Sequence, residues 1–225
     1  MAKNTPKKIT SIYLYIPNII GYIRIFVNCY AFARCLNNKK LFVLLYFISF
    51  VLDGLDGWCA RKFNQVSTLG AVLDMVVDRV STNSLLVILS QYYSPGLFFL
   101  AFLGLDISSH WLQMYSTFLS GKASHKDVKD SNYWLLKTYY GNRTFMAYCC
   151  IAAEVFYLIL YYIANNQPNS LIDVMINAVK HNSLVRFPLI LSMIGWATKQ
   201  IINVIQIKTS ADACVLYDIN RKQKP

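Results

Sequence analysis

Four aspartates, Asp53, Asp56, Asp74 and Asp78, stand inside stretches that are otherwise apolar enough to cross a bilayer. Each carboxylate near the centre of a spanning helix opposes insertion by roughly 2.5 to 3.5 kcal/mol, so four left uncompensated would cost on the order of 10 kcal/mol. The sequence therefore calls for cations among them. On a helix turning about 100° per residue, Asp53, Asp56, Gly57 and Ala60 share one face, and Gly70, Asp74 and Asp78 share another. Two faces that each carry two carboxylates above small residues suit hard divalent cations such as Mg²⁺ or Mn²⁺, and two such ions would balance four carboxylates. Ions that keep open positions bind pyrophosphate oxygens, and Arg61 adds a fixed cation suited to phosphate or a base edge. The same residues would also serve a buried carboxylate network without substrate, or a path for cations through a carrier that is not an enzyme.

The elements that must position these residues are membrane helices. Of 225 residues, 56% are hydrophobic and the mean hydropathy is +0.37, which predicts an all-α polytopic membrane protein. A net charge of +11 suits anionic lipid headgroups or phosphate-bearing substrates, and with no basic soluble domain to carry it, nucleic acid is not expected as a partner. The six cysteines show no CxxC spacing and lie mostly in apolar runs, so they read as small packing residues rather than a disulfide framework or zinc site. Cys59 is set apart by its place two residues before Arg61.

In chain order, a basic segment over 1–11 leads into six expected spans within a membrane domain over 12–208, followed by a polar tail over 209–225. The apolar run from Ile12 to Ala33 reads as an interfacial lead-in followed by the first spanning helix, with Pro17 near the helix start where its missing N–H costs least. The second starts at Leu41 and carries Asp53 and Asp56 toward its far end; the third, about Leu69 to Tyr93, carries Asp74 and Asp78 in its first half. Ser94, Pro95 and Gly96 turn the chain into a fourth span, about Leu97 to Leu119. Residues 120–142 are the longest polar stretch, the fifth span covers about Thr144 to Ala164, residues 170–183 are mixed, and the sixth span runs from about Leu184 to Ile207. Six spans put both termini on one side. That side carries thirteen Lys and Arg outside the spans against five on the other (Arg34, Lys39, Lys40, Lys180 and Arg186), so termini and aspartates are expected to face the cytoplasm.

The order D-x2-D-G-x2-A-R-x8-G-x3-D-x3-D, filled by Asp53, Asp56, Gly57, Ala60, Arg61, Gly70, Asp74 and Asp78, resembles the signature of the CDP-alcohol phosphatidyltransferases at every defined position. The runs IPNIIGYIRI (Ile16 to Ile25) and LDISSHWLQM (Leu105 to Met114), with SHK at Ser124 to Lys126, resemble the eukaryotic members that use inositol. The resemblance implies the six-helix fold of that family and transfer of a phosphatidyl group from CDP-diacylglycerol to myo-inositol, with release of CMP. It further implies that Asp53, Asp56 and Asp74 hold two divalent ions, Mg²⁺ or Mn²⁺, and that Asp78 acts as general base and also touches metal. Gly57, Arg61, Ser67 and Gly70 match positions that bind CDP-diacylglycerol in similar proteins. A homodimer in the endoplasmic reticulum membrane is expected on the same ground. The motif itself leaves glycerol 3-phosphate, serine or inositol phosphate open as acceptor.

Outside the motif, Arg24 lies near the centre of the first span and reads as a headgroup-cavity residue, with snorkelling to the interface as the alternative. Asp106 and His110, one helical turn apart, would either orient inositol hydroxyls or tie helices together. Lys126 and Arg143, with Lys122 and His125, form a basic cluster that suits the same headgroup or a general cytoplasmic anchor. Arg79 reads as a structural ion-pair partner, and the tyrosine and tryptophan surplus as an interfacial belt.

Overall fold

Apolar runs bounded by Asn, Pro and Gly become helices. A computed structural model describes residues 11–119, 133–165, 169–181 and 183–222. Among them the helices are α1 (Ile16–Arg34), α2 (Lys39–Lys62), α3 (Thr68–Tyr92), α4 (Leu97–Leu119), α5 (Trp134–Gly141), α6 (Arg143–Ile163), α7 (Leu171–His181) and α8 (Ser183–Lys222). Two short extended pieces, β1 (Tyr93–Ser94) and β2 (Asn169–Ser170), pair in parallel, Tyr93 against Asn169 and Ser94 against Ser170.

Five of the described helices, α1, α2, α4, α6 and α8, are long and apolar enough to cross a membrane. The remaining expected span is α3, whose 25 residues extend about 38 Å against a hydrocarbon core of about 30 Å. Its apolarity is lowered by Asp74, Asp78, Arg79, Thr82 and Asn83. The architecture is thus the all-α polytopic membrane fold that the composition predicts.

The ends of these helices have local causes. Pro17 sits in the first turn of α1, and Asn38 caps α2 by accepting from the Leu41 amide at 3.0 Å, a contact worth about 1 kcal/mol. Arg61 and Lys62 fill the last turn of α2, where cations offset the helix dipole. Asn64 then takes a left-handed φ of 52° that stops the helix. Ser67 caps α3 through its Oγ, 3.0 Å from the Gly70 amide. Asn142 caps α6 by accepting from the amides of Thr144 and Phe145.

Two regions depart from the sequence reading. Residues 171–181, read as part of a mixed stretch, form α7, because Leu171, Val174, Met175 and Ala178 recur at helical spacing. The helix that carries the sixth span continues past Ile207: α8 has 40 residues, about 60 Å, so the polar tail is helical through Lys222. No Pro or Gly interrupts it after Gly195, and Lys208 Nζ reaches Asp212 Oδ1 at 2.9 Å one turn on.

The chain divides into two compact units, Met1–Ser84 and Leu85–Pro225. In the first, α1 packs on α2, and Phe32, Phe42 and Tyr46 make a ring cluster with Phe32 and Phe42 centroids 5.3 Å apart. Polar groups lie inside, with Asn18, Arg24, Asn28, Ser49 and Asp56 buried, while Phe26, Leu44, Phe47, Val51 and Leu55 are exposed. Such an arrangement is inverted for water and suited to lipid, where polar groups must find one another.

In the second unit α8 packs on α4 and α6. The Trp196 ring lies 5.0 Å from both Phe102 and Phe156, and its Nε1 donates to Tyr157 Oη at 2.8 Å. Gly195 lets α8 approach α6 so closely that an added Cβ would overlap Ala152 and crowd the Tyr148 ring, the small-residue packing that replaces hydrophobic association in lipid. Gly195→Leu should therefore lower stability by about 3 kcal/mol or more, read as a fall in the thermal unfolding midpoint in detergent; an unchanged midpoint would place the helix contact elsewhere.

Candidate active site

The motif carboxylates converge as their spacing requires. Asp53 and Asp56 come from the last half of α2, Asp74 and Asp78 from the first half of α3, and between them stands Arg24 of α1. Arg24 Nη1 lies 2.7 Å from Asp53 Oδ1, 2.9 Å from Asp56 Oδ2 and 3.1 Å from Asp74 Oδ1. Its Nη2 donates to Asp78 Oδ1 at 2.5 Å. The arginine side chain is only 2% exposed, so the cation demanded by the four acids is supplied from the neighbouring helix. Arg79 adds a looser contact, 3.9 Å from Asp78 Oδ2.

The donor set fits hard divalent cations. One carboxylate oxygen from each of Asp53, Asp56 and Asp74 can be chosen so that the three lie within 4.8 Å of one another, and oxygen donors at such spacing are what Mg²⁺ and Mn²⁺ select. That a guanidinium already bridges all four acids shows that the cluster accepts positive charge at its centre. The acids differ in access: Asp56 is 9% exposed and Asp74 46%.

The residues that the resemblance assigns to CDP-diacylglycerol lie around this cluster. Arg61 lies over Gly57, its Nη1 3.4 Å from where a Cβ would stand, and is exposed at the end of α2. Ser67 and Gly70 meet at the start of α3. Gly70 faces Asn18, whose Oδ1 would be 2.8 Å from an added Cβ. Asn18 is fully buried; its Nδ2 donates to the Ile12 carbonyl at 2.7 Å, while Oδ1 has no donor among the described residues.

Asn18 and Gln65 are site residues that the sequence reading passed over. Gln65 Oε1 accepts from the Ile16 amide at 2.8 Å, fastening the start of α1 to the loop between the two acidic helices. The signal for Asn18 is an amide inside an apolar run, but Gly70, the residue it packs against, lies some fifty positions away. Arg24, read as a cavity residue, is placed on the aspartates themselves.

Asp106 and His110 lie on α4 in the second unit. His110 Nδ1 donates to the Asp106 carbonyl at 2.9 Å, and its 3.6 Å separation from the Asp106 carboxylate is beyond a hydrogen bond. Asp106 is buried. Arg143 is the exposed first residue of α6. Lys126, with Lys122 and His125, lies outside the described residues.

Comparison with known proteins adds to this geometry. The CDP-alcohol phosphatidyltransferase family model matches residues 14–210. A probable CDP-diacylglycerol–inositol 3-phosphatidyltransferase 2 of Arabidopsis thaliana is 63% identical over 224 residues, covering 100% of this chain and 99% of its own. The CDP-diacylglycerol–inositol 3-phosphatidyltransferase of Saccharomyces cerevisiae is 40% identical over 216 residues, 93% of this chain and 91% of its own. Its namesake from Homo sapiens is 40% identical over 156 residues, 67% of this chain and 71% of its own. No solved structure matches the chain.

The contact between Gly70 and Asn18 yields a test. Gly70→Ala puts a methyl against a fully buried amide oxygen that cannot retreat into solvent, so it should cost about 1 to 3 kcal/mol of stability and draw Asp74, one turn on, away from the cluster. Lowered Mn²⁺ affinity together with a lowered unfolding midpoint is the expected result; normal values of both would leave Gly70 without a packing role.

Proposed function

The chain belongs to the CDP-alcohol phosphatidyltransferase family, and on that premise we propose that it transfers the phosphatidyl group of CDP-diacylglycerol to a hydroxyl of myo-inositol, giving phosphatidylinositol and CMP. The observation that carries the reading is the convergence of Asp53, Asp56, Asp74 and Asp78 from two helices on one point. Glycines and an arginine spaced around the acids, with the Arg61 guanidinium over Gly57, favour a nucleotide-phosphate site over a path for cations.

The residues divide the work. When bound, two divalent ions, Mg²⁺ or Mn²⁺, held by Asp53, Asp56, Asp74 and Asp78 supply positive charge against the pyrophosphate and the departing CMP phosphate. Arg61 sets a further cation at the nucleotide phosphates, and Gly57, Ser67 and Gly70 leave room for the CDP moiety. The acceptor hydroxyl oxygen forms a bond to the phosphatidyl phosphorus as the bond from that phosphorus to CMP breaks. Asp78, 33% exposed on the more open side of the cup, takes the hydroxyl proton. A single direct transfer is the simplest form of this chemistry.

Asp106, His110, Lys126 and Arg143 are proposed to read the acceptor, on the strength of the resemblance carried by Leu105 to Met114 and Ser124 to Lys126. The spans make the chain an integral membrane protein. The excess of Lys and Arg on the side of the termini supports a cytoplasm-facing site, and the family supports a homodimer in the endoplasmic reticulum. A site at membrane depth lets the acyl chains stay in lipid while CDP and inositol come from water.

Purified protein given CDP-diacylglycerol and Mn²⁺ or Mg²⁺ should release CMP with myo-inositol and not with glycerol 3-phosphate, serine or inositol phosphate. Release with one of those instead would reassign the acceptor. Cation flux in liposomes without CMP from any alcohol would sink the enzymatic reading. Asp78→Asn keeps size but removes the base, so turnover should fall by about a hundredfold or more while the protein still elutes as a folded species; near-normal turnover would take Asp78 out of the proton transfer.

A further inference from the structure

We propose that the Arg24 guanidinium is the resident counter-cation of the carboxylate cup and that divalent metal enters by exchange with it, displacing Nη1 from Asp53, Asp56 and Asp74. The inference rests on the metal-binding reading of the cup given above. Nη1 lies within hydrogen-bond distance of one oxygen from each of those three acids, at 2.7, 2.9 and 3.1 Å. An ion bonded to the same acids needs oxygens at about 2.0 to 2.6 Å. Both cations seek the point central to three carboxylate oxygens, and only one can take it. A guanidinium N–H has no lone pair to offer a metal, so the two cannot share the position by bonding to each other.

Three further features fit exchange rather than a permanent bridge. The buried Nε of Arg24 has no acceptor among the described residues, so the side chain holds this pose with a donor left unmet, a cost that moving away would relieve. One guanidinium against four carboxylates leaves formal negative charge that a divalent ion neutralises better. Finally, Nη2 is held separately by Asp78 at 2.5 Å. That second bond gives the guanidinium a pivot: Nη1 can swing out of the cup while the side chain stays tethered. Arg24 is 2% exposed whereas Asp74 is 46% exposed, so an incoming ion reaches the acids on the Asp74 side.

Exchange makes arginine and metal alternatives for the same stabilising role, and linkage ties their effects together. Full-length protein in detergent is compared with Arg24→Gln and Arg24→Lys by thermal unfolding in EDTA and in saturating Mn²⁺, and by Mn²⁺ titration followed by electron paramagnetic resonance. Arg24→Gln should lower the unfolding midpoint in EDTA, recover to the wild-type midpoint in saturating Mn²⁺, and bind Mn²⁺ about tenfold more tightly. Arg24→Lys, which keeps one cation without the fork, should fall between the two in both readouts and serves alone if the glutamine variant does not fold. An equal loss of midpoint with and without Mn²⁺, or Mn²⁺ affinity unchanged or weakened in the variants, would overturn exchange and leave Arg24 a fixed strut. Absence of Mn²⁺ binding to the wild-type chain would overturn the metal reading itself, and the inference with it.

Discussion

The first unit depends on one electrostatic match: a single buried guanidinium against four carboxylates. In water such a cluster would be a modest local arrangement. In hydrocarbon it decides whether two helices can insert at all, because unpaired acids at depth are rejected. The match also fixes how helices meet. Gly21, one turn before Arg24, removes the side chain that would strike Leu73, Gly70 makes room for Asn18, and Gln65 ties the loop to the start of α1. Insertion and chemistry thus make opposite demands on the same acids: enough negative charge to attract metal, enough compensation to enter the membrane.

In the second unit neutral polar groups pair with one another across the fold. Trp196 gives its N–H to Tyr157, and Tyr93 gives its hydroxyl proton to the Leu160 carbonyl at 2.7 Å. Tyr140 donates to Gln113 Oε1 at 3.2 Å and accepts from Gln206. Each contact joins separate elements, so the polar residues that hydropathy marks as blemishes tie the fold together. Exposed Phe, Leu and Ile on the outward faces complete the inversion of an aqueous core.

How much of this was legible depends on the range of the cause. The α4 limits, Leu97–Leu119, follow from Pro95 and Gly96 at one end and the onset of polar residues at the other, and the sequence reading meets them at both ends. The two carboxylate faces follow from helical spacing alone. The need for a cation among them was also visible, but not its identity, because Arg24 reaches Asp78 across 54 positions of sequence. The far end of α8 lies beyond the expected span for a different reason. Polar residues after Lys208 signal the end of the membrane and not the end of the helix, and with no Pro or Gly to stop it the backbone continues. In α7 the apolar positions repeat at helical spacing, but the segment is too short to register as a span.

The unequal exposure of the acids gives the cup a direction. Asp53 and Asp56 are 29% and 9% exposed, whereas Asp74 and Asp78 are 46% and 33%. Asp56 is thus the most enclosed of the four and Asp74 the most open, with Asp53 and Asp78 nearly equal between them. The most open and the most enclosed acid stand on different helices, so a small tilt of α3 against α2 would change the depth of the cup.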